Sequence, residues 1–231
     1  MNCRIFMLVY MVDPSIEDMT KASVWRVLQN TNAAVTVAFN GGQTFAFDAD
    51  DRLTVIAWEE RLGLGEAYNR IINATDEPFI CIMHNDCFIS TGTLEPLIEQ
   101  AEKTGFAFPR VRQDAEESIA RGVQPTSSGI PPSCCYVVTR EAWKALGGFD
   151  EEFRGCHFED MDLFLRARMH GYGTPQVEDV EVFHRRGVTR SLTVDESNAA
   201  FLANRARYMS KWGSGNIAPI PDVQTEGSPN G

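Results

Sequence analysis

Phe79-Ile80-Cys81-Ile82-Met83-His84-Asn85-Asp86 decides how this chain is read. Five consecutive apolar residues match a strand buried on both faces, as in the middle of a parallel sheet, and three polar residues end it abruptly. Working outward, comparable apolar runs recur at 4–12, 34–39, 53–58, 106–111, 134–138 and 177–183. Helical stretches lie between them. Asp13-Pro14 supplies an N-cap and a first-turn proline for a helix through about residue 28. A second helix is expected at 66–74, with Ala67, Tyr68, Ile71 and Ile72 on its apolar face. Others are expected at 93–103, at 140–146 closed by Gly147-Gly148, and at 158–170 ended by Gly171. This alternation predicts an α/β fold with a mostly parallel central sheet flanked by helices on both faces. Ligands in such sheets bind beyond the carboxyl ends of the strands, which is where the strand ending at Met83 delivers His84, Asn85 and Asp86.

The same reading gives one domain over 1–213. Its last element is an amphipathic helix at 195–212, with Phe201, Leu202, Tyr208, Met209 and Trp212 as the apolar face and Gly213 as the stop. Residues 214–231, rich in Gly, Pro, Ser and Asn, read as a disordered tail. The polar stretch 113–132 reads as a long mobile loop of the kind that forms lids or acceptor-binding segments.

Composition excludes some functions. With 43% hydrophobic residues in 231, the chain can bury a core of ordinary size. A net charge of −11 disfavours a broad nucleic-acid footprint, which needs a basic face. The apolar stretch at 5–12 is about half a transmembrane helix and lacks the flanks of a signal peptide. No membrane span and a cytoplasmic location are therefore expected. The six cysteines, Cys3, Cys81, Cys87, Cys134, Cys135 and Cys156, form no CxxC pair. Their spacing points to neither a zinc site nor a disulfide framework, and buried thiols are expected.

Two acidic segments carry the chemistry. At a strand rim, Asp86 can hold a hard divalent cation, which in turn neutralises a diphosphate; a structural turn accounts for a lone Asp equally well. The second segment is Glu159-Asp160-Met161-Asp162 at the start of a helix. At about 100° per residue, Glu159, Asp162 and Arg166 share one polar sector, with Asp162 and Arg166 an i,i+4 ion pair. Asp160 projects beside Leu163, Phe164 and Ala167. A carboxylate on an apolar side is either a helix cap or a general base facing a cleft. Glu159 and Asp162 are expected on a solvated face or as supports for Asp160.

These residues resemble a known pattern. Arg61-Leu62-Gly63-Leu64-Gly65-Glu66-Ala67-Tyr68-Asn69 is similar to the N-x-G-x-G-x-A-x-N stretch of glycosyltransferase family 2, whose members have the Rossmann-like GT-A fold. His84-Asn85-Asp86 falls where that family carries its D-x-D metal motif. Gly147-Gly148-Phe149-Asp150-Glu151 and Glu159-Asp160-Met161-Asp162 resemble its G-G-F-D-E and E-D-x-D segments. Val182-Phe183-His184 and Lys211-Trp212-Gly213 resemble its later landmarks, so the likeness runs over about residues 4–213.

The resemblance implies an inverting sugar transfer, assisted by Mn²⁺ or Mg²⁺, from a UDP-, dTDP- or GDP-linked donor to a saccharide or other hydroxyl. Asp86 and His184 would hold the metal, and Asp160, with Glu159 beside it, would be catalytic. Asn40, Arg61, Gly65, Asn69, His84, Asn85 and Asp86 would bind the donor. Arg185, Arg186 and Arg190 form a basic stretch that would close over the diphosphate or lie solvated. Three departures stand out: Asn40 replaces an acid near the end of the second strand, Arg61 an Asn, and His84 the first acid of D-x-D. The Asn85-Asp86 form resembles branches that transfer deoxyhexoses such as rhamnose. Competing readings are the same fold acting on a hydroxylated nucleobase in DNA, and a noncatalytic nucleotide-sugar-binding module.

Overall fold

Strand β4 (Phe79–Met83), the run that opens the sequence reading, lies between β1 (Cys3–Met11) and β7 (Cys135–Thr139) at the centre of the sheet. The computed structural model describes residues 2–113, 131–185 and 193–213. The remaining strands are β2 (Ala34–Gly42), β3 (Leu53–Trp58), β5 (Cys87–Phe88), β6 (Phe106–Gln113) and β8 (Gln176–His184). The helices are α1 (Ser15–Asn30), α2 (Leu64–Asn73), α3 (Leu94–Thr104), α4 (Arg140–Leu146), α5 (Glu159–Met169) and α6 (Val194–Trp212). The expected loop at 113–132 and the expected tail at 214–231 fall almost wholly outside the described residues.

The strand order is β3-β2-β1-β4-β7-β6-β8-β5. Strands β1 to β4 run parallel, as do β6 and β8, whereas β7 is antiparallel to both its neighbours. A strand's direction leaves no trace in its apolar pattern, so the inversion of β7 is a finding of the structure. So is β5, too short to show any period.

Side chains on successive strand residues point to opposite faces, and β1 shows how the two layers form. Ile5, Met7 and Val9 join Ile16, Val24 and Val27 of α1 and Leu97 and Ile98 of α3 on one face. Phe6 joins Tyr68 and Ile72 of α2, Trp143 of α4, and Leu163 and Phe164 of α5 on the other. Within the second layer the Phe164 ring stands edge-on to Phe108 at 4.9 Å and to Tyr136 at 5.2 Å. That aromatic contact fixes the first turns of α5 over β6 and β7. A smaller cluster of Phe153, Phe158, Leu165 and Tyr208, with Trp212 against it, fastens α6 to α5.

The turn between α4 and α5 is clamped to α2. Asn69 Nδ2 donates to Phe149 O (2.9 Å) and Glu151 Oε1 (2.9 Å), and its Oδ1 accepts from Phe149 N (2.9 Å). One helical turn earlier, a Cβ on Gly65 would meet Phe149 Cβ at 3.0 Å, so a larger residue there would push the turn back by a few tenths of an ångström. Gly148 has φ +73°, and a Cβ there would overlap Asn69 Oδ1. Asn69→Ala leaves the buried Phe149 N–H and C=O unpaired and should cost about 2–3 kcal/mol. The melting temperature is then expected to fall by roughly 5–10 °C. Gly148→Ala should do at least as much, and thermal denaturation indistinguishable from the parent in both variants would refute the clamp.

Candidate active site

Beyond Met83 the backbone folds tightly back on itself. His84 N donates to Cys134 O (2.8 Å) and Cys87 N to His84 O (3.1 Å), which turns the chain into β5. Strand β5 pairs antiparallel with the end of β8, setting Cys87 opposite His184, and Arg185 N donates to Asp86 O (2.9 Å). Helix α1 holds the turn from the other side: Asn85 Nδ2 donates to Thr20 Oγ1 (2.8 Å) and Ser23 Oγ to Cys87 O (2.6 Å). Asn85 is therefore an anchor, and Asp86 is held at the base of the turn.

Asp86 is buried, and its Oδ1 makes no hydrogen bond among the described residues. Nevertheless His184 Nε2 lies 3.0 Å from that oxygen, out of hydrogen-bond line, and His84 Nδ1 lies 4.0 Å away. Two cis ligands on one divalent ion, each about 2.1 Å from it, stand about 3 Å apart without pointing at one another. The ligand atoms of His84, Asp86 and His184 all lie within 4.8 Å of one another, so this set fits a cation. Burial pushes the Asp86 carboxyl up, but His184 and His84 outweigh it and hold it below the usual range. Burial pulls His184 down, yet Cys134 and Asp86 push it up to about 10.

The second acidic segment follows a strained corner. His157 (φ +79°) and Phe158 (φ +71°) are consecutive left-handed residues with side chains, a conformation that persists only when its surroundings enforce it. Asn204 of α6 enforces it, its Nδ2 converging on the carbonyls of Arg154 (2.9 Å), Cys156 (2.9 Å) and His157 (3.0 Å). Helix α5 then begins at Glu159.

Here the helix-phase expectation is corrected. Asp162 is fully buried, accepting from Arg166 Nε (2.8 Å) and Trp212 Nε1 (2.9 Å), with Lys211 Nζ at 2.7 Å. Glu159 is buried too, its Oε2 unbonded among the described residues. Asp160 is the most accessible of the three, half-buried with Oδ1 on Met161 N (2.7 Å). Projection sorted the acids into sectors correctly, including the Asp162–Arg166 pair. It could not tell that α6 covers the charged sector. Burial and the adjacent Asp160 charge push Glu159 well above its ordinary value. The Tyr136 hydroxyl, unbonded among the described residues, is pushed up by burial and by Tyr68, Asp160 and Glu159. Tyr136 lies opposite Ile82 of β4, four residues before Asp86.

The other expected donor residues divide. Asn40, near the end of β2, grips Leu62 both ways, Nδ2 to Leu62 O (2.9 Å) and Leu62 N to Oδ1 (2.8 Å). Arg61, on the segment so held, stacks over the Tyr10 ring at 3.6 Å near the end of β1. Gly65 and Asn69 are engaged by the turn at 147–151. Arg186 and Arg190 lie outside the described residues. The sequence reading missed the approach of Cys87 and Cys134 to His184, which come from separate segments and leave no spacing signal.

The profile of the family described as glycosyl transferase family 2 matches residues 42–165, more than half of the chain. Among solved structures, GalNAc-T7, crystallised with UDP, GalNAc and Mn²⁺, superposes with a TM-score of 0.65 at 12% identity over 80% of this chain and 43% of its own. TarS 1-349 of S. aureus gives 0.59 at 12% identity over 94% and 74%. The mannosyltransferase PcManGT of Pyrobaculum calidifontis, in complex with GDP-Man and Mn²⁺, gives 0.59 at 16% over 89% and 64%. These likenesses establish the GT-A fold. An uncharacterized protein, y4gI, of Sinorhizobium fredii (strain NBRC 101917 / NGR234) is 28% identical over 79 residues. That stretch is 34% of this chain and 9% of the relative's length. No helix among the described residues is long and apolar enough to cross a membrane.

The raised Glu159 pKa makes a signed prediction. Its contribution to stability is fully present below the ordinary value of 4.5 and is lost as pH rises through the raised folded-state value. Glu159→Gln lacks that loss. Its melting temperature relative to the parent should therefore climb as pH rises from 4 toward 8, and a difference flat across that range would contradict the buried, proton-retaining carboxyl.

Proposed function

Because the chain belongs to glycosyltransferase family 2, we propose that it is an inverting glycosyltransferase moving a hexosyl or deoxyhexosyl group from a nucleoside-diphosphate donor to an acceptor hydroxyl. The observation that carries this reading is the buried, unbonded Oδ1 of Asp86 set between two imidazoles at the carboxyl edge of the sheet. Asp86 and His184, with His84 as a third ligand, would hold Mn²⁺ or Mg²⁺, which when bound neutralises charge on the departing diphosphate. Two imidazole donors favour Mn²⁺ over the oxygen-preferring Mg²⁺. In this reading the protein works in the cytoplasm.

Asp160 is the general base. It is the accessible member of its segment, and its free lone pairs can accept the proton of the acceptor hydroxyl. The acceptor oxygen forms its bond to the anomeric carbon as the bond to the diphosphate breaks, with the electron pair leaving on the diphosphate. Attack from the face opposite the leaving group inverts the configuration. Buried Glu159, favoured in its neutral form, lies beneath Asp160 without adding a second full charge. At the donor's base end, Asn40 acts by holding the segment that carries Arg61, whose cation stacks on Tyr10. Gly65 and Asn69 act by fixing the turn that leads to Asp160.

The test is incubation with Mn²⁺ and a panel of UDP-, dTDP- and GDP-sugars, reading free nucleoside diphosphate. One donor should be hydrolysed slowly without acceptor. Asp160→Asn should lower turnover by about 10²–10⁴-fold while donor binding persists. Asp86→Asn should raise the Mn²⁺ concentration for half-maximal activity by at least about tenfold. Donor binding without turnover in the parent protein would leave a binding module instead.

A further inference from the structure

The thiol groups near His184 have no role in this scheme. Cys87, Cys134 and His184 are all buried, and their ligand atoms lie within 4.8 Å of one another. Three segments bring them together. Cys87 faces His184 across the β5–β8 pair, and Cys134 immediately precedes β7. The Cys134 carbonyl accepts both His84 N (2.8 Å) and Cys87 Sγ (3.2 Å), which locks the two thiols on the same turn that presents Asp86.

We propose that Cys87, Cys134 and His184 form a thiophilic cation site for Zn²⁺, sharing His184 with the harder site on Asp86. Tetrahedral zinc with sulfur at about 2.3 Å and imidazole nitrogen at about 2.0–2.1 Å sets its ligand atoms roughly 3.5–3.8 Å apart. That spacing lies inside the span observed. Two cysteines and one histidine leave a fourth position open. Asp86 Oδ1, unbonded and 3.0 Å from the same imidazole, can fill it. Softness separates the two donor sets: thiolates select Zn²⁺, whereas the carboxylate side suits Mn²⁺ and Mg²⁺. Both thiols bind as thiolates and His184 as a neutral imidazole, so occupancy releases to the buffer whatever protons these three groups carry. Because His184 serves both sets, zinc withdraws a ligand from the harder site and slows sugar transfer. That last consequence alone rests on the function proposed above.

Metal-free full-length protein, kept reduced without a thiol reagent, is titrated with Co²⁺. One equivalent should produce a near-ultraviolet thiolate-to-cobalt charge-transfer band that Zn²⁺ abolishes and excess Mg²⁺ does not. Cys87→Ser and Cys134→Ser should each weaken or remove the band, and Asp86→Asn should retain it. Since a buried serine can unfold the chain, the deciding measurement uses the parent protein. X-ray absorption of the zinc-loaded form should show two sulfur scatterers at about 2.3 Å. Only nitrogen and oxygen scatterers, or no cobalt band, would overturn the site. Absence of Mn²⁺-dependent donor hydrolysis would sink the transferase reading and leave the sulfur ligation standing. Turnover with Mn²⁺ but no sulfur ligation would do the reverse.

Discussion

A carboxylate oxygen buried without a hydrogen bond is costly, and the surroundings of Asp86 Oδ1 are organised around that cost. Its backbone is fixed on three sides: by Cys134 through His84, by α1 through Asn85, and by β8 through Arg185. Water cannot readily reach Oδ1, and the chain supplies imidazoles at contact distance rather than a donor in line. The charge therefore persists by Coulombic attraction to positive groups, which is strong where the surroundings are poorly polarisable. A site of this kind is preorganised: the polar atoms are already aimed, and ligand binding need not rearrange the strands that carry them.

The other half of the site depends on α6. Its residues Asn204, Lys211 and Trp212 reach back to the corner at 154–158 and to Asp162. Without them the left-handed pair His157–Phe158 would relax and Asp162 would lose partners, since a buried charge is tolerated only when paired. Asp160 and Glu159 sit one turn from these supports. Long-range contacts thus orient the proposed base, although every residue of the acidic segment is local in sequence. The clamp of Asn69 on Phe149 and Glu151 does the same further upstream, tying the approach to α5 onto α2.

Much of this could be read in the residues themselves. Element after element matches the apolar periodicity to within a residue or two: α4 at 140–146, β3 at 53–58, β4 ending at Met83, and α6 closing at Gly213. The order of the motif segments pointed to the family, and the strand-end rule pointed to His84-Asn85-Asp86 as the rim. Such signals survive because they are local; hydrophobic period, caps and turn glycines act over a few residues.

What the sequence determined by itself was therefore the elements, the α/β class, the family likeness and the residue types available for chemistry. The tertiary structure decided the reversed direction of β7 and the burial of Glu159 and Asp162 that leaves Asp160 the accessible acid. It also committed Asn40 to Leu62, and it gathered Cys87 and Cys134 around the histidine already expected to bind metal. The reason is the same in each case. Local patterns state which face of an element is apolar or charged, but what covers that face comes from chain tens of residues away, and only packing brings it there.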